Sequence, residues 1–257
     1  MPQYRGRRFR IMMAASGAAI AISLVPLRSA PIQTQAQPAA PAAAVTTGVR
    51  EAAWSPDSKR IAASWFDAIW TMTPDGKDPK RLVAATQGWA AERDPAWSPD
   101  GKQIAFSAST NGEFDVWVAP ATGGAARRIT NDAGDERWPS WTKDGRSLVI
   151  SRRNPKGSWM LEIVPAEAGV KAEAVRIGDS TAWQGAVSPD GTRVAFVSDR
   201  AAEANNEADI WAIDLTPTQN GSLAPPVRVT SAPGDESHPT WSPNGTRVAF
   251  AASRNGI

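Results

Sequence analysis

The feature that most constrains this chain is a turn sequence that returns five times. Its fullest form is Trp-Ser-Pro-Asp-Gly, and the copies begin at Trp54, Trp97, Trp141, Val187 and Trp241. The intervals between them are 43, 44, 46 and 54 residues, which is the length of one four-stranded β-propeller blade. The sequence therefore predicts an all-β chain built from repeated sheets.

Each copy continues in the same order, with short alternating strands separated by turns. The predicted second strands are 60–64, 103–107, 147–151, 193–197 and 247–251. The predicted third strands are 69–72, 116–118, 161–163 and 210–213, and the predicted fourth strands are 80–83, 127–130, 175–177 and 227–230. The fold class is thus a β-propeller of four-stranded blades, with four complete repeats and part of a fifth.

Tryptophan is the expected core residue. The chain has twelve Trp and one Tyr, and the Trp that opens each copy is predicted to pack between neighbouring blades, because a lone blade leaves both sheet faces apolar. The third copy departs from the pattern, with Lys143 in place of Pro and Glu162 where the other copies have Trp. These changes predict a looser outer half in that blade.

Two segments carry a resemblance to a known family. Residues 95–106 read Pro-Ala-Trp-Ser-Pro-Asp-Gly-Lys-Gln-Ile-Ala-Phe and are followed by Asp-Val-Trp-Val at 115–118, and residues 239–250 repeat the first of these patterns. The repeats resemble the TolB-like, WD-type β-propeller family over about residues 49–257. The resemblance implies the fold and says less about function, because propellers carry many activities. Relatives include stand-alone periplasmic propellers and the N-terminal propellers of secreted amidohydrolases and prolyl-oligopeptidase-like peptidases.

The N-terminus is predicted to be an export signal. Residues 1–30 hold five Arg and no acid, with an uncharged apolar run at 11–27 before small residues, which is the order of a secretory signal peptide. A retained anchor and a twin-arginine signal are the alternatives. Residues 31–47 form a linker rich in Pro, Ala and Gln, and residues 48–257 form the propeller. The expected location is the periplasm or the exterior, with no membrane span after cleavage.

The fifth copy stops after its second strand, which predicts an incomplete propeller from a parent with six or more blades. A half-built blade would leave an open sheet edge and an open core face. The alternative is a small closed propeller in which residues 40–50 complete the final blade.

The composition argues against most catalytic chemistry. The chain has no Cys and a single His, His238, and it has no Gly-x-Ser-x-Gly sequence, so no triad, thiolate or zinc pair can be assembled. No catalytic residue, metal ligand or cofactor is therefore predicted. Outside the leader the net charge is −3, which gives no basic surface for nucleic acid. The turn aspartates Asp57, Asp100, Asp144 and Asp190 are predicted to accept backbone N–H bonds.

One charged pattern is a candidate binding site. Just before the innermost strands, the repeats place residues that a propeller would arrange around one mouth of its central channel: Arg50, Glu92, Arg93, Asp94, Glu136, Arg137, Glu236 and His238. Such a ring could hold a peptide terminus, a carboxylate or a cation, and the alternative is a set of inter-blade salt bridges. His238 occupies a variable slot that the other copies fill with Glu51, Asp94, Trp138 and Gln184.

Two functions are consistent with these features. The first is a monomeric protein- or peptide-binding module of the cell envelope. The second is the propeller of a larger hydrolase, an amidohydrolase or a serine peptidase, with a catalytic domain beyond residue 257.

Overall fold

The computed structural model describes residues 48–84, 87–110, 112–167, 175–177, 181–201 and 207–253, together with the backbone of short strands within 14–26. The regular elements of these residues are β-strands. No helix able to cross a bilayer is found in the part of the chain that is described.

The strands, numbered in chain order, are β1 Ala14–Ala15, β2 Ala18–Ala19, β3 Ala21–Pro26, β4 Arg50–Trp54, β5 Ile61–Trp65, β6 Ala68–Met72, β7 Lys80–Arg81, β8 Ala91–Trp97, β9 Gln103–Thr110, β10 Glu113–Pro120, β11 Arg127–Arg128, β12 Glu136–Trp141, β13 Ser147–Arg153, β14 Trp159–Pro165, β15 Val175–Ile177, β16 Trp183–Val187, β17 Arg193–Ser198, β18 Asp209–Asp214, β19 Val227–Arg228, β20 Glu236–Trp241 and β21 Arg247–Ala252.

These strands form successive antiparallel sheets. Blade 1 is β4–β7, blade 2 is β8–β11, blade 3 is β12–β15 and blade 4 is β16–β19, while blade 5 has the order β20-β21-β3. The blades pack in chain order, each on the next, with the first strands of neighbouring blades side by side. The predicted all-β propeller of four complete repeats and part of a fifth is confirmed.

The predicted inner strands agree closely with the observed ones, and the fourth strand of blade 3 has the predicted bounds, whereas the fourth strands of blades 1, 2 and 4 are shorter than expected. In blade 1 the ladder of the fourth strand ends at Arg81, and Leu82 and Val83 turn inward, where they are only 2% and 1% exposed. These two residues join the apolar cluster between blades 1 and 2. Leu82 still donates its backbone N–H to the Ile69 carbonyl at 2.8 Å, so pairing with the third strand extends one residue past the bounds of β7.

The predicted role of the turn aspartates is confirmed. The Ser98 hydroxyl donates to Asp100 Oδ1 at 2.7 Å, and the same carboxylate oxygen accepts the backbone N–H of Lys102 at 3.0 Å. The same pair of bonds recurs at Asp57, Asp144 and Asp190. Each aspartate therefore fixes the turn between the first and second strands.

The core lies between blades because alternate residues of one strand serve two interfaces. In β17, Val194 and Phe196 join the cluster shared with blade 3, whereas Ala195 and Val197 join the cluster shared with blade 5. Such alternation follows from the two-residue period of a strand. One sheet therefore contributes to two cores.

The opening tryptophans add a hydrogen bond to this packing. The indole Nε1–H of each donates to a backbone carbonyl of the preceding blade, with pairs Trp97 to Ala53 at 3.2 Å, Trp141 to Ala96 at 3.0 Å and Trp241 to Ala186 at 2.9 Å. In blade 4, which has Val187 instead, the Val187 N–H donates to the Ser140 hydroxyl at 3.0 Å. The link between blades is thus kept by a different donor.

The prediction of a buried tryptophan is wrong for Trp54, which is 56% exposed. Within the described ranges no blade precedes blade 1, so this indole has no sheet to pack against. The repeat pattern alone could not show this, because it assigns every copy a neighbour.

Blade 3 accommodates its irregular residue with an ion pair. Glu162 is buried, and its Oε2 lies 3.0 Å from Arg152 Nε. The outer strand β15 is present. Residues 168–174, where the predicted looseness would be greatest, lie outside the described residues.

Blade 5 receives its third strand from the N-terminal segment. Strand β3 pairs antiparallel with β21, in a register that places Ala21 opposite Ala252. For the alternative in which residues 40–50 complete this blade, Arg50 belongs to blade 1 instead, and residues 40–47 lie outside the described residues. The paired segment belongs to the predicted leader, so leader cleavage would remove this strand.

The indole-to-carbonyl bonds can be tested with a matched pair of variants. We expect Trp97→Phe to lower the free energy of unfolding by about 1–2 kcal/mol, because a partly buried hydrogen bond and some apolar contact are lost. Trp54→Phe should change it by less than about 0.5 kcal/mol, because that ring is mostly in solvent. Urea unfolding followed by circular dichroism gives both values, and equal effects would contradict the interpretation.

Candidate binding site at the channel mouth

One position of the innermost strand has the same unusual backbone in every blade. Strand pairing slips there, and the residue has a positive φ between 52° and 56°, as in Glu51, Asp94, Trp138, Gln184 and His238. A bulge of this kind re-aims a side chain, and a positive φ in a residue other than Gly is uncommon and costs energy. We call these five residues the slot residues, and with Arg137 they form the mouth.

Slot residues of neighbouring blades are joined by hydrogen bonds. The backbone N–H of Asp94 donates to Glu51 Oε2 at 3.0 Å, that of Trp138 donates to Asp94 Oδ2 at 3.4 Å, and that of His238 donates to Gln184 Oε1 at 2.7 Å. Trp138 has no acceptor to offer, and the Gln184 N–H donates to the Ser151 hydroxyl instead, at 3.0 Å. Three of the four neighbouring pairs of slot residues are thus joined directly, and Gln184 is linked to blade 3 through Ser151.

Arg137 is the charged centre of the mouth. Its Nε and Nη2 each donate to Asp94 at 2.9 Å, and Nη2 lies 3.8 Å from Glu51 Oε1. The guanidinium also lies 4.6 Å from the ring centre of Trp138 and 4.8 Å from that of Phe114, which are cation–π distances. Burial, together with the Asp94 carboxylate, raises the pKa of Glu51. Most of the charge here is thus already paired.

The other side chains of the mouth are an indole, an amide and an imidazole, and the last two contact each other. His238 is exposed, with Nε2 3.3 Å from Gln184 Nε2 and Nδ1 3.0 Å from the Ser237 hydroxyl. Desolvation lowers the pKa of His238, and the Asp94 carboxylate opposes that shift. Trp138 is half-buried, with its ring centre 5.0 Å from that of Trp159. Such groups can hydrogen-bond and stack.

Arg50 and Arg93, also predicted at the mouth, lie beside the slot residues near the β5–β6 hairpin. Arg93 donates to Asp67 Oδ1 at 2.5 Å, to the Ser64 hydroxyl at 3.1 Å and to the Glu92 carbonyl at 3.2 Å. Arg50 is exposed. These residues border a cleft of about 210 Å³ lined by Gly48, Arg50, Ser64, Phe66, Asp67 and Arg93.

Three predicted mouth residues lie elsewhere. Glu92, Glu136 and Glu236 are at most 1% exposed, so they do not line the mouth. Glu92 Oε2 accepts the Ile69 N–H of the preceding blade at 2.7 Å, and Glu236 Oε2 accepts the Thr230 hydroxyl at 2.7 Å. Sequence proximity suggested a common location, but Glu92 and Glu236 instead bond to elements of the preceding blade, and Glu136 lies buried beside Arg152 of its own blade.

Glu136 is the most perturbed of these carboxyl groups. Burial raises its pKa to about 8 in spite of the opposing effects of Arg152 and Thr130, and the carboxylates of Asp115 and Asp132 raise it further. Its Oε1 lies 3.5 Å from Arg152 Nε. The folded chain therefore holds a proton on Glu136 over a pH range where the unfolded chain has lost it.

This proton predicts a pH dependence of stability. Because the pKa is higher in the folded than in the unfolded state, the contribution of Glu136 is complete below its ordinary pKa and is lost as the pH rises toward 8. We expect the free energy of unfolding of Glu136→Gln to match that of the wild type near pH 5 and to exceed it by about 1 kcal/mol or more near pH 8.5. Chemical unfolding at several pH values measures this, with the exposed Glu113→Gln as control. Parallel pH profiles for wild type and Glu136→Gln would contradict it.

The tip of the β5–β6 hairpin is a feature that the sequence interpretation missed. Trp65 pairs with Ala68, and the two residues between them have φ of 48° at Phe66 and 56° at Asp67. Two positive φ values are typical of a type I′ turn, which favours Asn-Gly. The sequence feature that could have revealed this tip is a two-residue loop that contains neither Gly nor Asn.

Phe66 contributes little to the stability of this turn. It is 77% exposed, and since a fully buried Phe gains about 1.5–3 kcal/mol, its partial burial against Trp65 is worth well under 1 kcal/mol. The left-handed backbone costs about 1–2 kcal/mol for such a residue. The backbone strain at Phe66 therefore lowers the stability of the fold by more than the partial burial of its ring raises it.

Consecutive four-stranded antiparallel sheets with the core between them define the chain as a β-propeller. Residues 49–208 match the family of the Tricorn protease N-terminal beta propeller domain, and the chain belongs to this family. No curated protein matches the sequence.

Solved structures agree with this class. A protein assigned as TolB from Agrobacterium tumefaciens is 21% identical with a TM-score of 0.68, over 81% of this chain and 71% of that one. TolB from Acinetobacter baumannii is 21% identical with a TM-score of 0.59, over 82% of this chain and 56% of that one. A gluconolactonase from Xanthomonas campestris is 16% identical with a TM-score of 0.57, over 80% and 72%. The predicted TolB-like propeller is confirmed.

Proposed function

We propose that this chain is an exported propeller that binds a protein or peptide at its mouth, in the cell envelope. The observation that supports the proposal is the bulged slot, which has the same positive φ at the equivalent position of all five blades. Strained backbone that recurs at one place in a fold is typical of a functional position.

The composition of the mouth favours a polar and aromatic ligand such as a peptide. Trp138 offers a stacking surface, while Gln184 and His238 offer donors and acceptors beside it. The hydrogen bonds between blades hold these groups in place before binding, which lowers the entropy cost of association. Because the charges of Asp94 and Arg137 are paired with each other, the ligand need not be strongly charged.

Export is supported by the predicted leader. We expect the mature protein to be found in the periplasmic fraction with an N-terminus between residues 30 and 37. Intact-mass measurement after osmotic-shock fractionation, with a cytosolic enzyme as leakage control, tests this. Recovery of the uncleaved chain from the cytosol would refute export.

Binding at the mouth can be tested with two slot variants. We expect Trp138→Leu and His238→Asn to reduce capture of envelope proteins at least fivefold in quantitative mass spectrometry, because stacking and hydrogen-bonding groups are removed while the ion pair of Asp94 stays. Arg146→Ala is the control, since Arg146 lies in the turn at the opposite end of β12. Unchanged capture by both slot variants, with melting curves like the wild type, would count against the mouth.

A second function is favoured by the family description, which is that of a propeller within a protease. In that case the mouth would guide substrate toward a catalytic domain encoded further along. The gene sequence after residue 257 separates the two functions. A His-x-His pair would indicate an amidohydrolase and a Gly-x-Ser-x-Gly sequence a serine peptidase, whereas a stop after further blades favours the binding module.

A further inference from the structure

We infer that the tip of the β5–β6 hairpin is an anchor that inserts Phe66 into an apolar pocket, bordered by carboxylates, on a protein partner. The anchor consists of Phe66 with Arg50 and Arg93. It rests on the proposed function as a protein-binding propeller, and it adds to the mouth a second contact and the chemistry of the surface that it meets.

The hairpin tip is held in a fixed position. The backbone carbonyl of Asp67 accepts the Glu92 N–H at 2.9 Å, and its carboxylate pairs with Arg93 at 2.5 Å. Below the tip, the Trp65 ring lies 4.9 Å from Phe66 and 5.4 Å from Trp70. Phe66 is therefore presented on a rigid support, as an interface anchor must be.

Phe66 at the tip does not contribute to the stability of the fold. Asn or Gly would adopt the backbone of position 66 at lower cost, and the corresponding loops of blades 2 and 3 contain Gly112 and Gly157 with positive φ. Phe66 instead keeps its left-handed backbone with most of its ring in solvent. Large aromatic residues are the commonest anchors of protein interfaces, and a partner pocket would give this ring the burial that the chain does not.

The charges beside the tip indicate the kind of pocket. Arg93 is shared among Asp67, Ser64 and the Glu92 carbonyl, whereas Arg50 is exposed on the rim of the same cleft. In a chain whose net charge outside the leader is −3, this rim is locally cationic. Complementarity then favours a partner surface with Asp or Glu around its apolar pocket.

Site-specific cross-linking identifies the partner and the surface that it uses. Phe66→benzoylphenylalanine keeps an aromatic ring at the tip, and Thr122→benzoylphenylalanine places the same group in the β10–β11 turn as control. After irradiation in envelope extract, we expect adducts from position 66 that are absent from position 122. Mass spectrometry should map them to an apolar pocket with neighbouring Asp or Glu.

The affinity of the purified partner then tests the anchor itself. We expect Phe66→Asn to bind at least tenfold more weakly while melting no lower than the wild type, and Phe66→Tyr to bind within about threefold. Arg50→Ala should bind severalfold more weakly at low salt and show a smaller salt dependence. Arg146→Ala should match the wild type.

Several results would overturn the anchor. They are an absence of adducts specific to position 66, adducts that map to a basic or wholly polar surface, unchanged affinity of Phe66→Asn, or binding of the tip to anionic vesicles in place of a protein. If slot variants still abolish capture in any of these cases, the anchor fails and the proposed function stands. If the wild type captures no protein at all, the proposed function fails as well.

Discussion

Packing of one sheet face against the next is the interaction on which the rest of this structure depends. Val194 and Phe196 face one neighbour, and Ala195 and Val197 face the other, so each blade is stabilised only by the blades beside it. Stability is then a sum over neighbouring interfaces, as in other repeat proteins. The exposed Trp54 agrees with this dependence, because the same repeat position is shielded from solvent only in the copies that have a preceding blade.

The sequence predicted the elements well because strand alternation and Pro-Asp-Gly turns are local signals. It also found the slot, since His238 and its equivalents were aligned by their distance from the next turn. It could not show the bulge, which is a slip between two strands, and so it placed Glu92, Glu136 and Glu236 at the mouth. The raised pKa of Glu136 likewise depends on burial by segments distant in the sequence. For the hairpin tip, the only indication in the sequence was that Phe66 is an unfavourable residue for a two-residue turn.

Electrostatics divides the mouth face into two parts. Around Arg137 the charge is paired with Asp94 and lies close to Glu51, so the remaining slot side chains are an indole, an amide and an imidazole. At the hairpin tip, Arg50 adds positive charge next to an exposed ring. A partner that touches both parts would be oriented by charge at one end and read by shape and hydrogen bonds at the other.

The bulge has a consequence for how such a protein can change. Pairing with the adjacent strand sets the backbone at each slot, and the five blades place two carboxylates, an indole, an amide and an imidazole there with the same positive φ. The backbone of a slot is therefore independent of the residue that occupies it, whereas the hydrogen bonds between blades depend on that residue, since Glu51, Asp94 and Gln184 supply acceptors and Trp138 cannot. Under the proposed function, a substitution at a slot would change both what is bound and how firmly two neighbouring blades are joined.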